Sequence, residues 1–217
     1  MTKGFPSRSP PIQLPIRKNE ADRFGILKRT ENNEITRFAE KPTDPAVLSK
    51  MVSRDDEQRP FLGSMGIYLF NIEVLIELLE HTNLEDFGKH VIPYSINRKK
   101  VVGFDFDGYW EDIGTIRSFF DATLDLTNIK PKFNFYDEDA PIYTHNRNLP
   151  SSKINNASLD RTNTSEGCVI TNATIRHSVI GIRSIIESGS VLEDVICMGA
   201  DCYETETERE QNRAQGV

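Results

Sequence analysis

Between residues 173 and 198 apolar side chains return every six positions, and nothing else in the chain restricts its fold as much. Ala173, Val179, Ile185, Val191 and Cys197 form one series; Ile180, Ile186, Leu192 and Met198 form a second, with Gly, Ser, Asn and Asp between them. A strand repeats every two residues and a helix every 3.6 or so, so a period of six matches neither. A parallel β-helix does have it: each short strand forms one side of a prism and turns its apolar residue inward. That reading expects Val179, Ile185 and Val191 to point into one prism-shaped core; a β-sandwich of short strands is the alternative. About five hexads precede the polar stretch ETETEREQNRAQGV. They make fewer than two full coils, so the repeat reads as cut at its C-terminal end.

Upstream the periods are those of strands and helices. The first eleven residues carry Pro6, Pro10 and Pro11 and read as irregular, because each proline fixes φ and removes a donor. Ile12 to Ile16 alternates. Phe24 to Lys28 and Glu34 to Phe38 read as two short strands joined by the turn-forming pair Asn32-Asn33. MGIYLF (65–70) is a continuous apolar run, as expected of a strand covered on both faces. Asn71 caps a helix whose Ile72, Leu75, Ile76 and Leu79 fall on one stripe. A second helix starts at Asp86 with Phe87, Val91 and Ile92 inward, Val101 to Phe106 reads as a strand, and Thr115 caps a helix with Ile116, Phe119, Phe120 and Leu124 on one face. Strands alternating with helices imply an α/β domain with a largely parallel sheet, whose ligands bind beyond the carboxyl ends of strands. The division expected is an α/β domain with its linker over residues 1–150, the start of a β-helix over 151–203, and a polar tail over 204–217.

Composition removes several classes of function. The net charge is −7, and no cluster of Lys and Arg tracks a phosphate backbone, which argues against nucleic acid as a partner. No apolar run approaches the roughly 20 residues that cross a bilayer, and the N-terminal residues lack the apolar core of a secretory signal, so no membrane is expected and the chain reads as intracellular. Cys168, Cys197 and Cys202 are odd in number and lack paired metal-ligand spacing, so free thiols are expected. His81, His90, His145 and His177 show neither metal nor triad spacing and read as structural or exposed.

Three segments carry candidate chemistry. In Glu40-Lys41-Pro42, the lysine offers a compact positive charge to a phosphate and the carboxylate accepts from hydroxyls; a solvated turn is the bland alternative. Ser64 offers a hydroxyl and Gly66 an approach to the backbone, unless Gly63 and Gly66 are only turn and packing glycines. The loop YWEDIGT (109–115) places the only tryptophan and two carboxylates before a helix N-terminus. There Asp112 either ligates Mg²⁺, a hard cation that bridges to phosphates, or merely caps the helix.

Taken in order, FGILK, FAEKP, SMGIYLF, DFGKHVIP, GYWEDIGTI, FDATLDLT, FNFYDEDAPIYT, LPSSKI, GCVI, HSVIGIRS and MGADCYE closely resemble the glucose-1-phosphate adenylyltransferase (ADP-glucose pyrophosphorylase) family. The match runs from about Phe24 to Glu204. EKP and the WxDxGT pattern are shared more widely, whereas PIYT, LPSSKI and MGADCYE are specific. The resemblance implies the C-terminal part of a Rossmann-like nucleotidyltransferase domain followed by the start of a left-handed parallel β-helix. It also implies transfer of AMP from ATP to α-D-glucose 1-phosphate, giving ADP-glucose and pyrophosphate, with Mg²⁺ as cofactor. By the same carry-over Lys41 would bind the sugar phosphate, Glu40 the glucose hydroxyls, Ser64 with Gly66 would line the glucose site, and Asp112 would ligate the metal or contact the sugar phosphate. The intact enzyme is expected to be a homo- or hetero-tetramer of the bacterial cytoplasm or the plastid.

The departures are specific. The family's glycine-rich phosphate loop and the strand ending in its first metal-binding aspartate are not in these 217 residues. His90 stands where the family has an acidic or polar residue. The chain is therefore expected to act as a fragment, inactive alone, with ATP a partner only of the intact enzyme. A non-catalytic assembly or regulatory subunit is the alternative. A hexapeptide acyltransferase would need a long β-helix and a catalytic histidine, for which His177 is the sole candidate in the repeat.

Overall fold

A computed structural model describes residues 11–80 and 83–216; the irregular start around Pro6 and Pro10, and His81, lie outside them. The described chain divides after Gly108 into two compact units.

The first unit is built on a five-stranded sheet in the order β3-β2-β4-β1-β5, with β1 Pro11–Ile16, β2 Gly25–Arg29, β3 Ile35–Glu40, β4 Phe61–Tyr68 and β5 Phe104–Asp105. β2 and β3 form the expected hairpin. The Thr30 N–H donates to Glu34 O at 2.9 Å, and Asn33 turns the chain at φ 61°, a conformation Asn tolerates. The expectation of a largely parallel sheet is corrected: β2–β3, β2–β4 and β1–β4 are antiparallel, and only the two-residue pairing of β1 with β5 is parallel. Alternation of strands and helices implies parallel pairing only when each helix crosses between adjacent strands, and here β2 and β3 are joined by a turn. The strand expected over residues 101–106 shrinks accordingly to β5.

Leu27, Ile35, Leu62 and Val101 make the core of this unit, with Phe38 and Ile96 packed against it. Leu27 and Leu62 are essentially fully buried, each stabilising the fold by about 1.5–3 kcal/mol relative to exposure. Two short helices, α1 Pro45–Ser49 and α3 Ile92–Ile96, follow β3 in sequence, one before and one after α2 Ile72–Glu80. Asn71 caps α2 as expected, its Oδ1 accepting from the Glu73 N–H at 3.0 Å. The stripe predicted for α2 is not the buried one: Leu78 is buried, whereas Ile72, Ile76 and Leu79 are exposed. The sequence IEVLIELLE is apolar over most of its circumference, so Val74, Leu75 and Leu78 form a second possible face that periodicity alone cannot rank. Before α3 the chain makes a π-type turn, Phe87–Val91, in which the Val91 N–H reaches five residues back to Asp86 O. Val91 and Ile92 are buried as expected, but Phe87 is exposed.

In the second unit Thr115 caps α4, Ile116–Asp125, accepting from the Ser118 N–H at 3.1 Å. Leu124 is buried and Phe119 and Phe120 half-buried, but Ile116 is exposed. A parallel β-helix follows. One side consists of β6 Lys153–Asn155, β8 Val169–Thr171 and β10 Ile185–Ile186. The long strands β7 Ser158–Thr164 and β9 Thr174–Ile180 each supply two further sides. The first half of β9 pairs with β11 Val191–Glu193, and its second half with β12 Ile196–Cys197.

Each side thus carries three strands, correcting the expectation of fewer than two coils. The first coil escaped notice because its inward positions are poorly aliphatic: Ala157 packs on the core, while Ile154 and Leu159 remain exposed. The coil is also shorter than three hexads. Lys153 pairs with Val169 and Val169 with Ile185, 16 residues on each time, whereas Thr174 pairs with Val191, 17 residues on. The corners account for this. Asn156, Arg161, Gly167, Asn172, His177, Arg183, Gly189, Asp194 and Gly199 all have positive φ and follow one another at five or six residues. Because some sides have five residues, a strict count of six drifts off the inner face. Cys168, Ile170, Ala173, Ile175 and Ile180 are buried, with Ile186, Leu192 and Cys197 packed on them. Val191 is 75% exposed, and Val179 and Ile185 are half-buried outside this core, so the three do not point into one core as expected; Met198 is exposed as well. Of the two predicted series, the one through Ile180, Ile186 and Leu192 faces inward. The parallel pairing itself excludes the β-sandwich. Buried Ser178 and Ser184 are satisfied by the carbonyls of Arg176 at 2.6 Å and Gly181 at 2.8 Å.

Residues 206–215, read from sequence only as polar, form α5 Glu206–Gln215. Thr205 and Glu208 make a capping box, and the Thr205 N–H and hydroxyl hold the Glu208 carboxyl below its ordinary pKa. Arg209 and Arg213 pair with Glu187 of the last coil.

Candidate functional site

Glu40 closes β3 directly opposite Gly25. A Cβ on Gly25 would stand 2.9 Å from Glu40 Oε2, and one on Gly88, in the π-type turn, 2.7 Å from the same atom. The half-buried Glu40 carboxylate therefore occupies space that two missing side chains leave. Lys41 follows at φ 45°, its N–H donating to Phe24 O at 3.1 Å and its side chain exposed. This positive φ turns the chain out of the sheet at the lysine, and Pro42 is buried behind it.

Ser64 lies buried in β4. Its Oγ is 3.1 Å from the Tyr68 hydroxyl and accepts from the Gly66 N–H at 3.2 Å. Gly66 is required by its φ of 71° rather than by crowding, since a Cβ there would meet nothing within 4 Å. Burial raises the Tyr68 phenol above its ordinary pKa; the Ser64 hydrogen bond opposes this, and the negative charges of Glu40 and Asp86 add to it. Asp86 is held below the usual carboxylate range chiefly by the Lys89 N–H, at 2.7 Å from its Oδ1. The Tyr68 ring stacks on Phe87 at 6.0 Å between centroids.

Glu40, Lys41, Ser64 and Gly66 thus belong to one unit and share a neighbourhood with Tyr68, Asp86 and Gly88. These three were not singled out by the sequence reading. The signal for Tyr68 was its position four residues after Ser64 in one strand, hence on the same face. Asp86 and Gly88 stood in the DFG block, read only as a helix cap.

Asp112 belongs to the other unit. It is half-buried, and its Oδ1 accepts from the Gly114 N–H at 3.1 Å, an Asx turn in the loop that leads to α4. The cap of α4 is Thr115. Magnesium commonly takes one or two carboxylates and completes its shell with water and phosphate oxygens. Asp112 offers one carboxylate, and among the described residues no group of three or more His, Cys, Asp or Glu could hold an ion. That donor set suits a metal shared with substrate phosphates rather than one caged by protein. Of the histidines, His177 Nδ1 pairs with Asp194, while His90 and His145 are exposed. All three cysteines are unpaired.

A five-stranded sheet in a chain that continues into a parallel β-helix fits a nucleotidyltransferase domain followed by a β-helix domain. The nucleotidyl transferase family model matches residues 12–129, and a model described as the GLGC left-handed parallel beta-helix domain matches residues 147–217. The chain is 42% identical over 208 residues to the glucose-1-phosphate adenylyltransferase small subunit, chloroplastic/amyloplastic, of Triticum aestivum, an alignment covering 90% of this chain and 44% of that protein. The chain belongs to the glucose-1-phosphate adenylyltransferase family of transferases. It spans less than half the length of that relative. Enzymes of this kind use a divalent metal. Among the described residues no helix is long and apolar enough to cross a membrane.

Proposed function

We propose that the first unit is the glucose 1-phosphate side of an adenylyltransferase, with Lys41 holding the sugar phosphate, Glu40 accepting from glucose hydroxyls, and Ser64 with Gly66 lining the sugar pocket. The observation that carries this reading is the Glu40 carboxylate, held in the space that Gly25 and Gly88 leave, with the Ser64–Tyr68 hydroxyl pair near enough for Tyr68 to feel its charge. In the intact enzyme a phosphate oxygen of α-D-glucose 1-phosphate attacks the α-phosphorus of ATP. The bond to the bridging oxygen breaks, and pyrophosphate leaves with ADP-glucose as the other product. Such transfer depends on positioning and on neutralising charge more than on covalent chemistry from the protein. Lys41 supplies a fixed cation, while Glu40 and Ser64 orient the sugar. Asp112 would hold Mg²⁺, which when bound neutralises phosphate charge.

These 217 residues contain no glycine-rich triphosphate loop, so the chain alone binds glucose 1-phosphate but makes no ADP-glucose. In the cell it would serve glycogen or starch synthesis, as part of a homo- or hetero-tetramer. The name of the wheat relative favours the plastid over a bacterial cytoplasm. A non-catalytic assembly or regulatory subunit keeps the same sugar site. Two measurements test the proposal. Calorimetric titration should show saturable binding of glucose 1-phosphate that Glu40→Gln and Lys41→Ala both weaken. Pyrophosphate release with ATP, glucose 1-phosphate and Mg²⁺ should stay far below the ~1 per second typical of enzymes. No saturable binding, or turnover at that rate, overturns it.

A further inference from the structure

A second recess in the first unit is chemically unlike the sugar site. It lies along the edge strand β3, between α1 and α3, as an open groove of about 430 Å³. Its floor is apolar: Met51 is buried, and half-buried Phe38 and Ile96 lie against the core. Its charged lining is Arg37 and Lys50, and no carboxylate lines it, in a chain whose net charge is −7.

The cations here are arranged at a cost. Arg37 stands directly opposite Lys28 across the β2–β3 ladder, and like charges in that relation repel. Lys28 is drawn toward the groove as well, its Nζ donating to Lys50 O at 3.0 Å. None of the three makes an ion pair among the described residues. Among the neutral donors of the lining, the Thr36 hydroxyl donates to Lys28 O at 3.2 Å and one N–H of the Asn97 amide to Pro93 O at 3.2 Å. What the groove offers a ligand is therefore chiefly positive charge beside an apolar floor.

We propose that this groove binds a small dianion carrying a short apolar body. Arg37 grips the anionic head through its planar fork and Lys50 acts as a point charge. The apolar body covers Phe38, Met51 and Ile96, and the bound dianion relieves the repulsion between Lys28 and Arg37. The volume lies at the lower end of the range for small-molecule sites.

Phenyl phosphate is a suitable probe, with inorganic phosphate and phenol as its two halves, each titrated calorimetrically into the chain at low ionic strength. Phenyl phosphate should bind about tenfold or more tighter than either half, and the double variant Arg37→Gln/Lys50→Gln should weaken it by about tenfold or more. Lys41→Ala should leave it unchanged. Both groove cations are exposed and Arg37 is repelled by Lys28, so the double variant should melt at or slightly above the wild type. Four results overturn the proposal: no saturable binding in the millimolar range; binding indifferent to the double variant; binding lost with Lys41→Ala, which would place the anion in the sugar-phosphate site; or inorganic phosphate binding as tightly as phenyl phosphate, which would reduce the groove to an unspecific patch of charge.

Discussion

Replacing Gly88 by alanine separates what the sugar site needs from what the fold needs. The new Cβ would stand 2.7 Å from Glu40 Oε2 and 3.0 Å from Glu40 Cδ, with Asp86 Oδ1 next at 3.5 Å. The first two contacts are too close to persist, so something must move. The crowded atoms are the far end of one flexible side chain, and swinging it off its rotamer costs about 0.5–1.5 kcal/mol. Alanine in place of glycine within a helical turn returns about 0.8–1 kcal/mol, so global stability should change by less than about 1 kcal/mol. Binding should respond quite differently. On the proposed role of Glu40, the displaced carboxylate would forfeit hydrogen bonds to sugar hydroxyls, each worth about 1.5–3 kcal/mol when one partner is charged, or roughly tenfold to a hundredfold in affinity. Thermal unfolding and calorimetric titration with glucose 1-phosphate on the same preparation measure both quantities, with Glu40→Gln as the reference for loss of the carboxylate. A variant that loses more than about 2 kcal/mol of stability while binding the sugar phosphate normally would refute the reasoning, because Gly88 would then serve packing and not the space around Glu40.

In the β-helix, Ile180→Ala should cost about 2–5 kcal/mol as a core truncation, whereas Val191→Ala should stay within about 0.5 kcal/mol; equal losses in denaturant unfolding would restore the strict count of six. Lys41→Ala should weaken glucose 1-phosphate about tenfold to a hundredfold by titration, and an unchanged affinity would mean that EKP is a solvated turn. Tyr68 has its pKa raised in the fold, so its contribution to stability is fully present below the unfolded value of about 10 and is lost as the pH rises through the folded one. Ultraviolet titration of the phenols, wild type minus Tyr68→Phe, should show that group ionising above pH 10, and a difference curve centred at or below that value would contradict its burial.

Local chemistry was legible wherever it was decided locally. The Asn32-Asn33 turn and the Asn71 and Thr115 caps needed no distant partner to specify them, whereas the strand read from MGIYLF is corrected: β4 is buried from Phe61 to Met65, and Ile67 and Leu69 beyond it are exposed. Sheet direction was not legible, because it depends on how connections run between strands rather than on the residues within them. The buried face of α2 was hidden for a different reason: with apolar residues almost all round, only the neighbours of Leu78 choose. At the proposed site, Glu40, Lys41, Ser64 and Gly66 could be put forward as candidates because each sits in a short quotable block. Tyr68 and Gly88 gain their meaning from a third residue, Glu40, that is distant in sequence, and Gly88 contributes by what it lacks.

The corners of the β-helix explain how such a domain changes over evolutionary time. Each side ends in its own left-handed residue, five or six positions after the last, so the phase of the apolar pattern is set afresh at every corner. A one-residue deletion within a side is absorbed before the next corner and does not propagate. An amphipathic helix has no such correction: a single deletion rotates everything beyond it by about 100°. Length variation should therefore accumulate side by side in this domain, and aligning relatives by corner should recover correspondences that a fixed spacing loses.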